Sequence, residues 1–140
     1  MKAALLWLAL AWTAAPAAGP GRDVQGEWWT PGFNARVRIE ACGDGAVCGR
    51  IAWLWDDKPQ GIADKTPLLG KRVIDQMRVS EPGRWTGGRL YNPEDGRDYK
   101  GSLQLRSEST LVVSGCVLFV CQTQVWRRAD TLGCPPVARP

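Results

Sequence analysis

The chain has 140 residues, enough for one compact domain with a hydrophobic core, and contains no histidine, which excludes a Ser-His-Asp triad, a Cys-His pair and a histidine-based metal site. Its 18 Lys and Arg and 14 Asp and Glu give a net charge of +4. These charges are interspersed along the chain without a basic block, which argues against nucleic acid as a partner.

The first 17 residues have the pattern of a signal peptide. Met1-Lys2 is a short positive start, residues 3–12 are uninterruptedly apolar, and Ala15-Pro16-Ala17 has the small-x-small pattern of a signal-peptidase site. The apolar run is too short to span a bilayer as a mature helix. We therefore predict a signal peptide over residues 1–17, a periplasmic or secreted protein, and no transmembrane segment in the mature chain.

The first half of the mature chain contains two strand patterns after a short opening strand at residues 26–30. Residues 35–40 alternate apolar and charged side chains, which indicates a strand with one wet face. Residues 47–55 form a strongly apolar, aromatic return strand. Residues 56–69 show no periodicity and are rich in Asp, Lys, Pro and Gly, which predicts an exposed loop.

The most specific local signal is a hairpin over residues 84–99. Pro93 presets φ for the first corner of a turn, and the side chain of Asn92 can cap that turn. Gly96 supplies the positive φ that lets the turn lead into a returning strand. The segment is therefore predicted to be strand, tight turn, strand.

The remaining segments complete an all-β pattern. Residues 71–79 alternate weakly, residues 100–105 continue the second arm of the hairpin, and residues 110–127 form a last hairpin, before a Pro-rich tail at residues 129–140. About eight short strands with short connections predict a single antiparallel up-and-down β-barrel over residues 18–128, because closure removes exposed edges. A β-sandwich is the alternative.

Five cysteines fit an exported protein. Cys42 with Cys48, and Cys116 with Cys121, each stand where two strand patterns meet, and two local disulfides are the simplest of three pairings. A disulfide that closes a loop this short stabilises the folded state by about 2–2.5 kcal/mol in the chain-entropy model. A zinc site is the rival, but neither spacing is C-x-x-C and histidine is absent. Cys134 is left over in the tail.

The two ends of the β region carry residues suited to closing a barrel. Gly26-x-Trp28 begins the first strand and Trp126-Arg127-Arg128 ends the last, and these strands become neighbours in a closed barrel. An arginine over the Trp28 indole would then close the bottom by a cation–π contact and backbone hydrogen bonds. This placement resembles the first-strand Gly-x-Trp and last-strand Arg of lipocalins, and predicts Trp28 and Arg127 as the closing pair.

The tryptophans are the main functional signal, because they either fill the core or line a barrel interior too wide to pack. Trp53 and Trp55 stand two apart and are expected on the same face as Ile51. The candidate ligand-binding residues are Trp53, Trp55, Trp85, Arg89, Tyr91, Tyr99 and Asp64.

Acidic residues offer weaker alternatives. Asp56-Asp57 and Glu94-Asp95 are adjacent acids in turns, where they usually form turns, whereas a glycosidase needs two carboxyl groups facing across a cleft. A calcium site at Asp56, Asp57 and Asp64 lacks regular ligand spacing. We therefore expect no metal and no cofactor.

Several segments together resemble a family of exported bacterial proteins, domain of unknown function 2147. They occur in the family's order: Gly26-Glu27-Trp28, Cys42, Cys48 to Leu54, Asp64, Pro67 to Gly70, Trp85 to Tyr99, Gly115-Cys116, Cys121 and Trp126-Arg127. The resemblance implies a lipocalin-like β-barrel, exported, with no established reaction. The family's usual Asn-Pro-Asp segment is shortened here to Asp64-Lys65-Thr66-Pro67, and the Cys134 tail lies outside the pattern.

Three functions compete at this point. The first is the binding of a small hydrophobic or amphipathic molecule in the barrel. The second is a cell-envelope interaction module with a closed core, which binds a protein or wall polymer through exposed tryptophans. The third is a hydrolase acting through Asp64, Arg89 and Tyr91, although we expect no enzyme. No feature of the sequence fixes the ligand or the oligomeric state.

Overall fold

The computed structural model describes residues 24–129, which form nine antiparallel β-strands and one turn of 3₁₀ helix at Pro31–Phe33. The strands are β1 (Gly26–Trp29), β2 (Ala35–Ala41), β3 (Ala46–Leu54), β4 (Arg72–Glu81), β5 (Arg84–Thr86), β6 (Arg89–Asn92), β7 (Arg97–Ser107), β8 (Thr110–Val117) and β9 (Val120–Arg128). The predicted signal peptide, Cys134 and all of the predicted tail except Ala129 lie outside the described residues.

The strands close into one barrel with up-and-down connections. Around it, β3 pairs with β2, β2 with β1, β1 with β9, β9 with β8 and β8 with β7. Both β5 and β6 lie between β7 and β4, and β4 pairs back to β3, so nine strands occupy eight positions. The predicted all-β barrel of about eight strands is confirmed, and the sandwich alternative is wrong.

The hairpin turn at residues 93–96 forms as its residues predict. The Asn92 side-chain oxygen accepts a hydrogen bond from the Glu94 amide at 3.0 Å, and the Gly96 amide donates to the Asn92 carbonyl at 2.8 Å. Gly96 has a φ of 70°. The local chemistry of this turn was therefore sufficient to predict it.

The first arm of that hairpin is interrupted, a break that was not predicted from the sequence. Gly87 and Gly88 separate β5 from β6, and Gly87 has a φ of 80°. A β-carbon on Gly88 would lie 2.1 Å from the Asp75 carbonyl oxygen on β4. The two glycines thus allow the strand to bend against β4 at a distance that no other residue permits.

The two ends of the barrel are filled differently. Large side chains pack completely at one end, which we call the closed end; the fully buried ones include Trp28, Trp85, Ile39, Met77 and Leu103. The β2–β3, β4–β5 and β7–β8 turns lie at this end. The opposite end, the open end, carries the 3₁₀ helix, the β6–β7 and β8–β9 turns and residues 55–71, which we call the lid loop.

Arg128 closes the barrel, and the prediction that Arg127 does so is wrong. Arg128 pairs directly with Trp28, its guanidinium lies 4.2 Å from the centre of the Trp28 ring, and it donates a hydrogen bond to the Gln25 carbonyl at 2.8 Å. Arg127 pairs with Trp29, one residue along. Successive side chains on a strand point to opposite faces, so the register decides which arginine reaches the indole.

The seam between β1 and β9 is short. It consists of the two pairs Trp28–Arg128 and Trp29–Arg127, because the chain leaves β1 after Trp29 to form the 3₁₀ helix. Nearer the open end, residues 120–126 of β9 pair with β8 on one side, and no strand within residues 24–129 pairs with the other side. The seam is therefore joined at the closed end and unpaired at the open end.

Two disulfides staple opposite ends of the barrel. Cys42–Cys48 spans the β2–β3 turn at the closed end, and Cys116–Cys121 spans the β8–β9 turn at the open end. Both predicted local pairings are confirmed.

Candidate functional site

A cavity of about 520 Å³ lies inside the open end of the barrel. Most of its wall is apolar, formed by Val37, Ile51, Leu54, Ile62, Leu68, Val73, Leu90, Val113 and Trp126. Its volume falls within the range of sites that bind small molecules in proteins.

The cavity exists because small residues occupy inward positions towards the open end. Val37, Val73, Val113 and Gly115 line it, whereas indole, thioether and leucine side chains fill the closed end. Interiors of small barrels are usually filled by side chains alone, so this change in side-chain size leaves a space. Complete and incomplete packing of the interior were both considered from the sequence, and the interior is incompletely packed at this end.

Polar groups are concentrated towards the mouth of the cavity. Tyr91 and Tyr99 lie on one side, on β6 and β7, and Gln122 and Gln124 on the other side, on β9. The Gln124 side-chain oxygen accepts a hydrogen bond from the Trp126 indole at 2.9 Å, which orients both side chains. Such a wall suits an apolar body that ends in a polar group.

Tyr99 is held by the acidic β6–β7 turn. Its hydroxyl donates a hydrogen bond to the Asp95 carboxylate. This bond lowers the pKa of Asp95 from its ordinary value and raises the pKa of the Tyr99 hydroxyl. The tyrosine therefore stays neutral and its ring is fixed at the mouth.

Asp64 is the centre of a polar cluster beside the mouth. Its carboxylate accepts hydrogen bonds from the Thr66 amide at 2.9 Å, the Thr66 hydroxyl at 2.6 Å, the Tyr91 hydroxyl at 2.7 Å and the Lys71 ammonium. The Asp64 side chain is only 6% exposed. Lys71 first, then Thr66 and Tyr91, hold the pKa of Asp64 well below its usual range, and Asp64 in turn raises the pKa of Tyr91.

This cluster fastens the lid loop across part of the mouth. The Ala63 amide donates to the Glu94 carbonyl at 2.9 Å, and the Asp64 amide donates to the Pro93 carbonyl at 3.1 Å. Leu68, near the end of the loop, is buried against the core. The prediction of an exposed loop is therefore wrong for Asp64 and Leu68, which pack onto the barrel.

The structure separates six of the seven candidate ligand-binding residues into three groups. Trp55, Tyr91 and Tyr99 line the cavity. Asp64 does not line it but accepts a hydrogen bond from the Tyr91 hydroxyl. Trp85 is completely buried in the closed-end core. Arg89 lies in a separate depression with Lys71, Arg72, Asp75 and Asp98.

Trp53 faces outwards, and the expectation that it shares a face with Ile51 is wrong. Arg36 pairs with Trp53 while the next residue, Val37, pairs with Ile51, so Ala52 is an extra residue in β3. This β-bulge reverses the direction of the following side chains. The Trp53 ring accordingly packs edge-on against Trp29, with ring centres 5.4 Å apart.

The contribution of β9 to the cavity was not predicted from the sequence. Gln122, Gln124 and Trp126 are spaced by two residues and all line it. The period-two alternation of this segment was visible in the sequence and was sufficient to place these three side chains on one face.

Alternative sites find little support in the described part of the chain. No group of three or more His, Cys, Asp or Glu side chains within residues 24–129 is placed to hold a metal ion, so the calcium hypothesis is not supported. None of the helical structure described there is long and apolar enough to cross a membrane.

Comparison with known proteins agrees with this geometry. Residues 26–128 match the model of a family described as "Uncharacterized protein conserved in bacteria (DUF2147)". The chain belongs to this family. The resemblance inferred from the sequence motifs is thus confirmed.

The fold also has a counterpart among solved structures. Protein HP1028 from Helicobacter pylori, described as belonging to the lipocalin family, superposes with a TM-score of 0.64 over 77% of this chain and 84% of that chain, at 15% identity. At this identity the similarity establishes a lipocalin-like fold and nothing about the ligand. No curated protein matches the chain.

Proposed function

We propose that the protein is an exported binding protein that holds a small hydrophobic or amphipathic molecule inside the open end of its barrel. The observation that carries this proposal is the 520 Å³ cavity with an apolar wall and polar groups at its mouth. Two disulfides support an extracytoplasmic location, because such bonds persist in oxidising compartments.

The wall chemistry favours a ligand with a hydrocarbon body and a hydrogen-bonding head. The body would lie against Leu90, Val113 and Trp126, and the head would lie near Gln122 and Tyr91. Asp64 and Lys71 pair with each other, so neither is an isolated charge that requires an oppositely charged ligand.

The same pairing argues against a hydrolase. General acid–base catalysis near neutral pH needs a group whose pKa lies near the working pH. The pKa of Asp64 is moved away from that range, and its carboxylate oxygens are occupied by Lys71, Thr66 and Tyr91.

A matched pair of substitutions on β8 tests the binding proposal. Val113 lines the cavity, and its neighbour Val112 is buried but lies outside both the cavity wall and the core cluster. Val113→Trp should occupy the cavity and weaken binding of dansyl-undecanoic acid by roughly tenfold or more, whereas Val112→Trp should leave it close to wild type.

Fluorescence titration gives the affinities, and native mass spectrometry of periplasmically purified protein detects a co-purifying ligand. Equal binding by the two variants would place the probe outside the cavity. Absence of any bound molecule, together with no response to amphiphiles, would refute the proposal.

An envelope interaction module is the second candidate, and an outer aromatic cluster favours it. Trp29 contacts Phe33 and Trp53, and Trp53 contacts Trp55, all edge-on, with Trp55 66% exposed. This candidate function requires a closed core, which conflicts with the cavity. Co-sedimentation with purified cell wall, lost in a variant in which the outward-facing Trp53 is replaced (Trp53→Ala) but which still binds dansyl-undecanoic acid, would favour this candidate.

A further inference from the structure

The tip of the β8–β9 hairpin exposes four consecutive apolar side chains. Val117 pairs with Val120, and between them Leu118 is 90% exposed and Phe119 is 100% exposed. The Cys116–Cys121 disulfide lies immediately behind them. The tip is therefore a convex apolar point held by a covalent cross-link at the rim of the open end.

The two residues of this turn are not those that a stable hairpin turn exposed to water favours. A two-residue hairpin turn with a positive φ at its first position favours Gly, Asn or Asp there, yet this position holds Leu118 with a φ of 51°. Polar residues are also usual at turn corners, but the second position holds Phe119. Backbone strain and exposure of large apolar groups together point to a function for these side chains.

The hairpin behind the tip lacks charge. Residues 110–126 contain no Asp, Glu, Lys or Arg, in a chain with 23% charged residues. Its polar groups are uncharged; for example, the hydroxyls of Ser114 and Thr123 form a cross-strand hydrogen bond at 2.8 Å. The hairpin therefore presents an apolar end followed by neutral polar groups, an order that matches the boundary between hydrocarbon and headgroups in a bilayer.

We propose that this hairpin tip inserts into the surface of a lipid bilayer and brings the mouth of the barrel against it. A protein partner is the less suitable occupant, because stable protein interfaces involve about 20–30 residues a side, whereas the tip is a small convex point. A bilayer accepts such a point without a complementary pocket. The neighbouring β6–β7 turn carries Glu94 and Asp95 at the same end, so insertion is shallow and does not require anionic lipids.

Insertion at this place also gives the cavity a source of ligand. Gly115 and Gln122, just behind the tip, line the cavity, and the unpaired edge of β9 lies beside its mouth. An amphiphile would pass from the bilayer into the barrel with little exposure to water. This loading role rests on the proposed ligand-binding function, whereas the insertion itself does not.

Vesicle flotation of the full exported chain tests the insertion. The double variant Leu118→Gly/Phe119→Asn gives the turn its preferred residues and removes the apolar point. We expect the wild type to float with phosphatidylcholine vesicles and with phosphatidylethanolamine/phosphatidylglycerol vesicles, and the variant to partition on the order of 100-fold more weakly. Its thermal midpoint should equal or exceed that of the wild type, because turn strain is relieved.

Two further variants complete the design. Phe119→Ser removes the most exposed ring without altering Leu118 and should also weaken flotation. Val125→Thr removes an exposed apolar side chain on β9, away from the tip, and should float like the wild type.

Dansyl-undecanoic acid binding separates the two proposals. If all variants bind the probe but the wild type does not float, or the tip variants float equally well, membrane insertion is overturned and the binding function stands. If flotation depends on the tip but neither the wild type nor any variant binds the probe, insertion stands and the binding function fails. A concentration-dependent dimer that is lost in the tip variants, without flotation, would identify the tip as a contact between copies and overturn insertion.

Discussion

Removal of the Arg128 side chain is the most direct test of how the barrel is closed. Its guanidinium donates hydrogen bonds to the carbonyls of Gln25 and Glu108 and lies over the Trp28 ring at 4.2 Å. These contacts join the segment before β1, the β7–β8 turn and the end of β9. Arg128→Ala would remove all three at once.

The magnitude follows from those contacts. Hydrogen bonds from a charged donor contribute about 1.5–3 kcal/mol each, and a cation–π contact about 0.5–2 kcal/mol, with losses that are less than additive. We therefore expect Arg128→Ala to lower the free energy of unfolding by about 3 kcal/mol. In a domain of about 100 residues this corresponds to a fall of roughly 12–24 °C in Tm.

Thermal unfolding followed by near-ultraviolet circular dichroism measures this difference, with Arg127→Ala as the matched control. Arg127 pairs with Trp29 on the opposite face, so its removal should change stability by no more than about 0.5 kcal/mol. Arg128→Lys keeps the charge but not the planar guanidinium, so its loss of stability should lie between those of Arg128→Ala and Arg127→Ala. Equal losses for Arg128→Ala and Arg127→Ala would refute the assignment of Arg128 as the closing residue.

Two other substitutions test the lid loop and the break between β5 and β6. The lowered pKa of Asp64 in the folded state means that its stabilising contribution is present above its ordinary titration near about pH 4 and is lost as the pH falls below it. On acidification through this range, Tm should fall more for the wild type than for Asp64→Asn, and parallel curves would contradict the role of Asp64. Gly88→Ala places a β-carbon 2.1 Å from the Asp75 carbonyl and should lower stability by about 3 kcal/mol or more, as measured by urea unfolding. Gly87→Ala meets no atom within 4 Å and should lose only about 1 kcal/mol from its positive φ, so the reverse order would show that space at Gly88 is not limiting.

The parts of the fold that depend on neighbouring residues were predictable from the sequence. The Asn92–Gly96 turn forms from the side-chain and φ preferences of its own residues, and each disulfide joins cysteines that are close in the chain. The barrel followed from counting strand patterns and from the cost of leaving edges unpaired. Family motifs led to the same architecture.

Side-chain direction within the barrel was not predictable, because it depends on register between distant strands. One extra residue at Ala52 turns Trp53 outwards, and a shift of one position gives the closing role to Arg128 instead of Arg127. Residues 51–55 are all apolar and residues 127 and 128 are both arginine, so the sequence contains no sign of either change. The cavity is a further consequence of which side chains face inwards and how large they are.

The short seam between β1 and β9 also determines how the barrel can deform. Two residue pairs join these strands, whereas eight pairs join β8 to β9. Arg128 holds the two strands together at the closed end, but few backbone hydrogen bonds join them, so amide hydrogens along this seam are expected to exchange with solvent sooner than those of β7 and β8. The open end can therefore widen where β9 is unpaired. A bulky ligand would move β9 away from β1 there, while the remaining strands keep their register.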